Sequence, residues 1–467
     1  MFMQISTVWR LPPLFRARAR AAAKPGAMPP NHTVCFCNNR GGVGKTFMAF
    51  QTACEAARAR PDKRVLVLDF SLYSDQTALL LGGSARESFG APMKGLQVTV
   101  DVTTCDTRAE GLIRDLEHAP DAMDCGQEDR PSASSIFGTF FSRRRASASP
   151  GTEEPTEPAG SGAVDLTRYA LRPHDHNPAI PPNVFLVPSA GAVSWADTQA
   201  EDQNVSPAEV PLWARRGEGW RGAARALRAA IARLPGDFGA VFVDTDHLAA
   251  CALTKLALAA CEKVVVPLSF DDGDFNRLFQ DVTGNALFTD VMVPMLESGT
   301  LTAKVSAMVF TKVASTKNEP VTTEGGIASP FKPSATVMAQ MDAMARQVQS
   351  ACRADARYAG LFRADDADEF DETETSAART RDDVADAPAR AFREKYFTAM
   401  KLVPDLAANI SKMCGLPVCA MTGEKYVAPS GLSGQSAKPV LDGLKAEIRD
   451  LAARLLDDTY HAPVAAS

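Results

Sequence analysis

Continuous runs of Val, Ile and Leu recur along the chain, separated by segments with helical spacing. Thr33–Cys37, Arg64–Leu68, Val184–Val187, Ala240–Val243, Lys263–Leu268 and Val305–Phe310 each read as a buried strand, and Val418–Met421 reads as a seventh. An Ala-rich stretch after the first strand is predicted helical to about Arg60. Ahead of Ala240, Leu227, Ile231 and Leu234 fall at i, i+4 and i+7, the signature of one helix face. Leu444, Ile448, Leu451 and Leu455 make a similar stripe near the end of the chain, expected to pack on the sheet. Strands that are apolar throughout and alternate with helices are what a parallel sheet covered on both faces requires. The predicted fold class is therefore α/β, with a doubly wound, mostly parallel sheet.

Two stretches break this pattern. Residues 126–163 are rich in Ser, Pro, Gly and Glu with few aliphatics, and are expected to be a disordered loop. Within them, Ile136–Phe141 followed by Arg143, Arg144 and Arg145 reads either as a docking string or as chance bias in a loop. Residues 365–386 carry ten carboxylates against Arg379 and Arg381, the composition of a solvated linker. No internal repeat is present.

The chain of 467 residues is long enough for one large domain with insertions or for two to three domains. Its 45% hydrophobic and 23% charged residues exclude a wholly disordered or fibrous chain. No run of about 18 apolar residues occurs, so no transmembrane helix is expected. A net charge of −6 argues against a dedicated polybasic nucleic-acid binder. Ten irregularly spaced cysteines suggest free thiols in a reducing compartment rather than a disulfide framework. Residues 1–32 form a basic extension: no Asp or Glu precedes Glu55, while Arg10, Arg16, Arg18, Arg20 and Lys24 are interleaved with Ala and Pro. Three readings stay open here, namely an organellar transit peptide, a basic tail, or a true start at Met28. The expected location is cytoplasmic, or a chloroplast or mitochondrion if the transit reading holds.

The strongest chemical signal is Gly41-Gly42-Val43-Gly44-Lys45-Thr46 between a predicted strand and a predicted helix. Glycines let the backbone curl so that successive N–H groups face phosphate oxygens, and the helix N-terminus adds its dipole. Lys45 would hold the β- and γ-phosphates and Thr46 would ligate Mg²⁺.

The wider loop, Asn38-Asn39-Arg40-Gly41-Gly42-Val43-Gly44-Lys45-Thr46, resembles the deviant Walker A motif NxKGGxGKT of the ParA/MinD family of P-loop ATPases. Arg40 stands where that family places a lysine that reaches the partner's phosphates across a nucleotide-sandwiched dimer. The family's D-x-D-P-Q-G-N-x-T segment matches here at Asp69 and Thr77; its water-positioning carboxylate falls on Ser71, and Asp75 is the nearest replacement. Phe238–Asp246 resembles the family's Walker B segment, which makes Asp244 a Mg²⁺ ligand candidate and leaves Asp246 as a helix N-cap candidate. Thr311 lies where the family has an adenine-side Asn. The resemblance implies ATP and Mg²⁺ as cofactors, slow hydrolysis, an ATP-dependent homodimer, and non-specific DNA or a cargo-adaptor protein as partner. The alternative is a nucleotide-binding scaffold or regulator that has lost hydrolysis.

The catalytic candidates are thus Lys45, Arg40, Asp69 and Asp75. The nucleotide candidates are Gly41, Gly42, Val43, Gly44, Lys45, Thr46 and Thr311, and the metal candidates Thr46 and Asp244. The ATPase domain is expected over 33–467, with 86–182 and 316–391 as insertions. Cys35, Cys37, Cys414 and Cys419 lack the CxxC spacing of iron–sulfur carriers of this class and read as buried thiols. Six Tyr in the chain, with only Tyr460 near the end, disfavour a tyrosine-kinase relative. Lys412, Lys425, Lys438, Lys445 and Arg449 are the candidate DNA contacts.

Overall fold

A computed structural model describes residues 32–71, 73–86, 91–119, 163–189, 220–246, 251–311, 313, 331, 333–362, 381–401, 406–427 and 433–456. The basic extension before His32 and nearly all of the Ser/Pro/Gly-rich stretch lie outside them.

The strands of the main sheet are β1 (Thr33–Phe36), β2 (Arg64–Phe70), β3 (Val184–Val187), β4 (Phe238–Thr245), β5 (Lys263–Ser269), β6 (Lys304–Thr311) and β7 (Phe397–Ala399). They form one sheet in the order β3-β2-β4-β1-β5-β6-β7, and every pairing is parallel. The sheet is flanked by α1 (Lys45–Ala59), α2 (Asp75–Leu81), α3 (Lys94–Val102), α4 (Ala109–His118), α5 (Trp220–Ala232), α6 (Ala252–Ala260), α7 (Asp272–Asn276), α8 (Ala335–Ala354), α9 (Arg381–Tyr396), α10 (Leu406–Cys414) and α11 (Lys438–Leu456).

Alternation along each strand builds two cores. Cys35, Leu66, Leu68, Val241 and Val243 face one layer with α4, α5, α6 and α8. Val34, Phe36, Val65, Val67 and Phe242 face the other, with α1 and α11. All four members of the α11 stripe are buried there, as its spacing predicts. Helix α4, within the stretch 86–182, contributes Leu112, Ile113 and Leu116 to the first core.

Three expectations are corrected. Residues Val418–Ala420 form a 3₁₀ turn, not a strand. Following Pro417, the Val418 N–H donates to Gln51 Oε1 of α1 at 2.8 Å, so its backbone is satisfied by a helix side chain instead of a neighbouring strand. The seventh strand is Phe397–Ala399, too short and too polar to register as an apolar run. The acidic stretch does not stay a linker through 386: α9 begins at Arg381, because Ala389, Phe392 and Tyr396 repeat on one face and are buried against the first core. Among the described residues no helix is long and apolar enough to cross a membrane.

Candidate nucleotide site

From β1 the chain runs through α1 to β2, on one side of β1; from β4 it runs through α6 to β5, on the other side. Helices α1 and α6 lie in opposite layers. Such a reversal leaves a crevice beyond the carboxyl ends of the strands on either side of it, where open α/β sheets bind ligands. The residues singled out by sequence converge there: the 38–46 loop follows β1, and Asp69 and Asp244 are directly paired across β2 and β4.

The loop has the geometry that the glycines predict. Gly42 and Gly44 take φ of +75° and +95°, left-handed values that side chains resist. A Cβ on Gly41 or Gly42 would meet nothing within 4 Å, so this stretch borders open space. Gly44 is the N-cap of α1 and offers no side-chain cap, leaving the first-turn N–H groups of a 15-residue helix for an anion.

Lys45 is buried and its ammonium donates to the Arg40 carbonyl at 2.7 Å. Burial lowers its proton affinity, against the opposing charges of Asp244, Cys37, Asp246 and Asp75. Asp244 is fully buried, and neither carboxylate oxygen has a hydrogen-bond partner of normal geometry. Burial pushes its pKa well up, Asp69 adds to the shift, and the nearby Thr46 hydroxyl and Lys45 charge offset only part of it.

Asp69 is in the opposite condition. Its Oδ1 accepts from the Ser71 N–H (3.0 Å) and hydroxyl (2.6 Å), and its Oδ2 from the Thr77 N–H (2.7 Å) and hydroxyl (2.6 Å). With both oxygens so occupied, it fixes the β2–α2 turn. Asp75 opens α2 with its residue exposed at the surface; partial desolvation by its surroundings, with the charges of Asp69 and Asp246 and against those of Lys412 and Lys45, pushes its pKa up to about 6.

The remaining loop residues turn toward β5 and β6. Asn38 donates to the Pro267 carbonyl, and Asn39 donates to the Arg277 carbonyl (3.1 Å) and Asp281 (3.2 Å). Arg40 forms an ion pair with Asp274 of α7 in its own chain. Thr311 is buried beneath the loop, donating to the carbonyls of Leu268 (3.0 Å) and Val43 (3.4 Å). Asp246 does not cap the following helix; Cys251 does, its sulfur accepting from the Thr254 N–H at 3.5 Å, because the helix starts only at Ala252.

Cys35 and Cys37 are fully buried, as expected, whereas Cys414 and Cys419 are half-buried. Of the basic residues considered for DNA, Lys438 pairs with Asp442, Arg449 with Glu55, and Lys445 donates to the Met421 carbonyl. Sequence reasoning missed Asp274, which nothing local marks: it becomes a neighbour of the loop only because α7 follows β5 alongside β1.

An all-parallel seven-stranded sheet, flanked by helices and carrying this loop after its central strand, is an α/β P-loop NTPase fold. Solved structures similar to the chain include a plasmid partition protein from Borrelia burgdorferi (10% identity, 61% of this chain and 80% of that one, TM-score 0.33). An ATP complex of McdA from Cyanothece (13%, 79% and 97%, TM-score 0.36) is another. Cobyrinic acid a,c-diamide synthase from Mycobacterium smegmatis with ADP and magnesium is a third (18%, 62% and 77%, TM-score 0.34). No protein-family model matches the chain, and no curated protein does.

Proposed function

We propose that this chain is a Mg²⁺-dependent, ATP-binding switch of the ParA/MinD type, which hydrolyses ATP slowly and, as an ATP-dependent homodimer, partitions or positions DNA or a protein cargo. The observation that carries the nucleotide part is Asp244. A fully buried carboxylate whose oxygens lack a hydrogen bond of normal geometry is costly to keep. It is accounted for if a cation shared with a bound polyphosphate completes it.

The residues present fit that ion, since Mg²⁺ is commonly held by one or two carboxylates plus substrate phosphates. Thr46 and Asp244 would hold it, and when bound it would neutralise charge on the phosphates. The Gly41–Gly44 backbone and the α1 N-terminus cradle the phosphates, and Lys45 leaves the Arg40 carbonyl to meet them. Asp75 serves as the base for the attacking water, because a carboxyl raised to about 6 takes up a proton near neutral pH more readily than an ordinary one. Asp69 and Thr311 hold the site's shape.

A second reading, a nucleotide-binding scaffold without hydrolysis, is favoured by one observation. The Ser71 hydroxyl, at the position of the family's water-positioning carboxylate, is spent on Asp69.

The test is equilibrium MgATP binding and steady-state phosphate release, with and without duplex DNA, for the full chain and for Lys45→Ala and Asp75→Asn. The proposal expects binding and turnover that both depend on Lys45, with turnover falling ~10²-fold in Asp75→Asn. Binding without turnover selects the scaffold. Affinity unchanged in Lys45→Ala removes the nucleotide assignment.

A further inference from the structure

The end of β3 brings a buried serine to the β2–α2 turn. The Ser189 hydroxyl donates to the Ser71 carbonyl at 2.5 Å, and its N–H donates to the Thr77 hydroxyl at 3.0 Å. The Thr77 hydroxyl in turn donates to Asp69, as does that of Ser71. A closed ring of hydrogen bonds thus joins Asp69, Ser71, Ser189 and Thr77, all four of them buried. The residue before Ser189 is pinned as well, the Pro188 carbonyl accepting from the Ala109 N–H of α4 at 2.9 Å.

Ser74, inside the span this ring encloses, holds φ of +57° with its hydroxyl buried and unpartnered. A non-glycine residue stays in that region only where its surroundings over-determine it. The ring supplies that constraint, and its product is the position of the next residue, Asp75, at the start of α2.

We propose that Ser189, with Ser71, is a positioning residue for Asp75: the ring sets the first turn of α2 so that Asp75 stands at the Lys45 end of the phosphate cradle. This rests on the reading of Asp75 as base. It also gives Ser71 a role other than a weakened copy of a carboxylate, since its hydroxyl and its carbonyl are both members of the ring.

The experiment compares Ser189→Ala, Ser189→Thr and the double variant Ser189→Ala/Asp75→Asn by single-turnover phosphate release and MgATP affinity. Hydrogen exchange of the α2 amides is followed in parallel, with α1 as internal reference. Ser189→Ala is expected to slow turnover ~10-fold, because small misplacements of a reacting group are costly. Affinity stays within ~2-fold, since the cradle is untouched. Ser189→Thr, which keeps the hydroxyl, restores turnover, and Ser189→Ala adds nothing in the Asp75→Asn background. Exchange in the first turn of α2 accelerates while α1 is unchanged.

Additive losses in the double variant would overturn the proposal, as would equal losses of affinity and turnover or unaltered α2 exchange. A wild type without Lys45-dependent turnover would instead end the reading of Asp75 as base. The exchange comparison would then still decide whether Ser189 sets the α2 start.

Discussion

Replacing Asp244 with Asn should move stability in opposite directions depending on whether MgATP is present. In the ligand-free protein the carboxylate lies at 0% exposure with neither oxygen in a hydrogen bond of normal geometry. An unsatisfied buried polar group costs ~1–3 kcal/mol, and more when charged. The amide of Asn keeps part of that cost but removes the charge, so Asp244→Asn should gain about 1–2 kcal/mol, a rise of a few degrees in melting temperature. The sign with pH follows from the raised pKa of Asp244. Its contribution is fully present below the ordinary carboxylate pKa and is lost as pH rises toward the folded-state value. The advantage of Asn therefore grows from about pH 4 upward and vanishes at lower pH, where both side chains are neutral. With MgATP at 100 times its dissociation constant, the wild type gains about 2.7 kcal/mol. Asp244→Asn should forfeit most of that. The assay is thermal unfolding of both proteins from pH 4 to 8, with and without MgATP. A variant that is less stable without ligand, yet gains as much from MgATP as the wild type, would refute the assignment of Asp244 as a cation ligand held at a cost to the fold.

Three further outcomes follow from the same geometry. Ser74→Gly should stabilise the chain by about 1 kcal/mol in denaturant unfolding, because glycine accepts φ of +57° and the substitution deletes a buried, unpartnered hydroxyl. Asp75, ordinary when unfolded and raised to about 6 when folded, contributes stability below pH 3.8 that is lost as pH rises through about 6. Asp75→Asn should accordingly flatten the fall in stability across that window in a urea titration at stepped pH. The Arg40–Asp274 pair should respond asymmetrically, its arginine side chain being 43% exposed and its carboxylate 1%. Arg40→Ala strands a buried charge and should cost about 2–3 kcal/mol, whereas Asp274→Asn leaves a solvated arginine and should change stability by under about 1 kcal/mol. Urea midpoints of the two variants check this.

Six of the seven strands and the phosphate loop were legible from sequence, because a strand buried on both faces must be apolar throughout and a left-handed loop needs glycine. Both requirements are local, and Gly42, Gly44, β1 and β4 satisfy them within a few residues of chain. That Asp69 and Asp244 lie at one sheet edge could be anticipated from where their strands end; that they are direct register partners came from the fold. What each carboxylate does could not be anticipated. Asp69 and Asp244 look alike in sequence, yet one has both oxygens hydrogen-bonded and the other has no hydrogen bond of normal geometry, and that difference comes from Ser71 and Thr77, which both bond Asp69. The sheet also claimed Phe397–Ala399 over Val418–Met421, since a free edge beside β6 mattered more than apolarity. Arg40 turned inward to Asp274 and Thr311 beneath Val43 because β5 and β6 deliver their partners from more than 200 residues away. Sequence fixes which residues stand at the crevice, because propensity and burial act over short spans. Only the folded chain decides which of their polar atoms find partners, because those partners come from strands that meet through long crossovers.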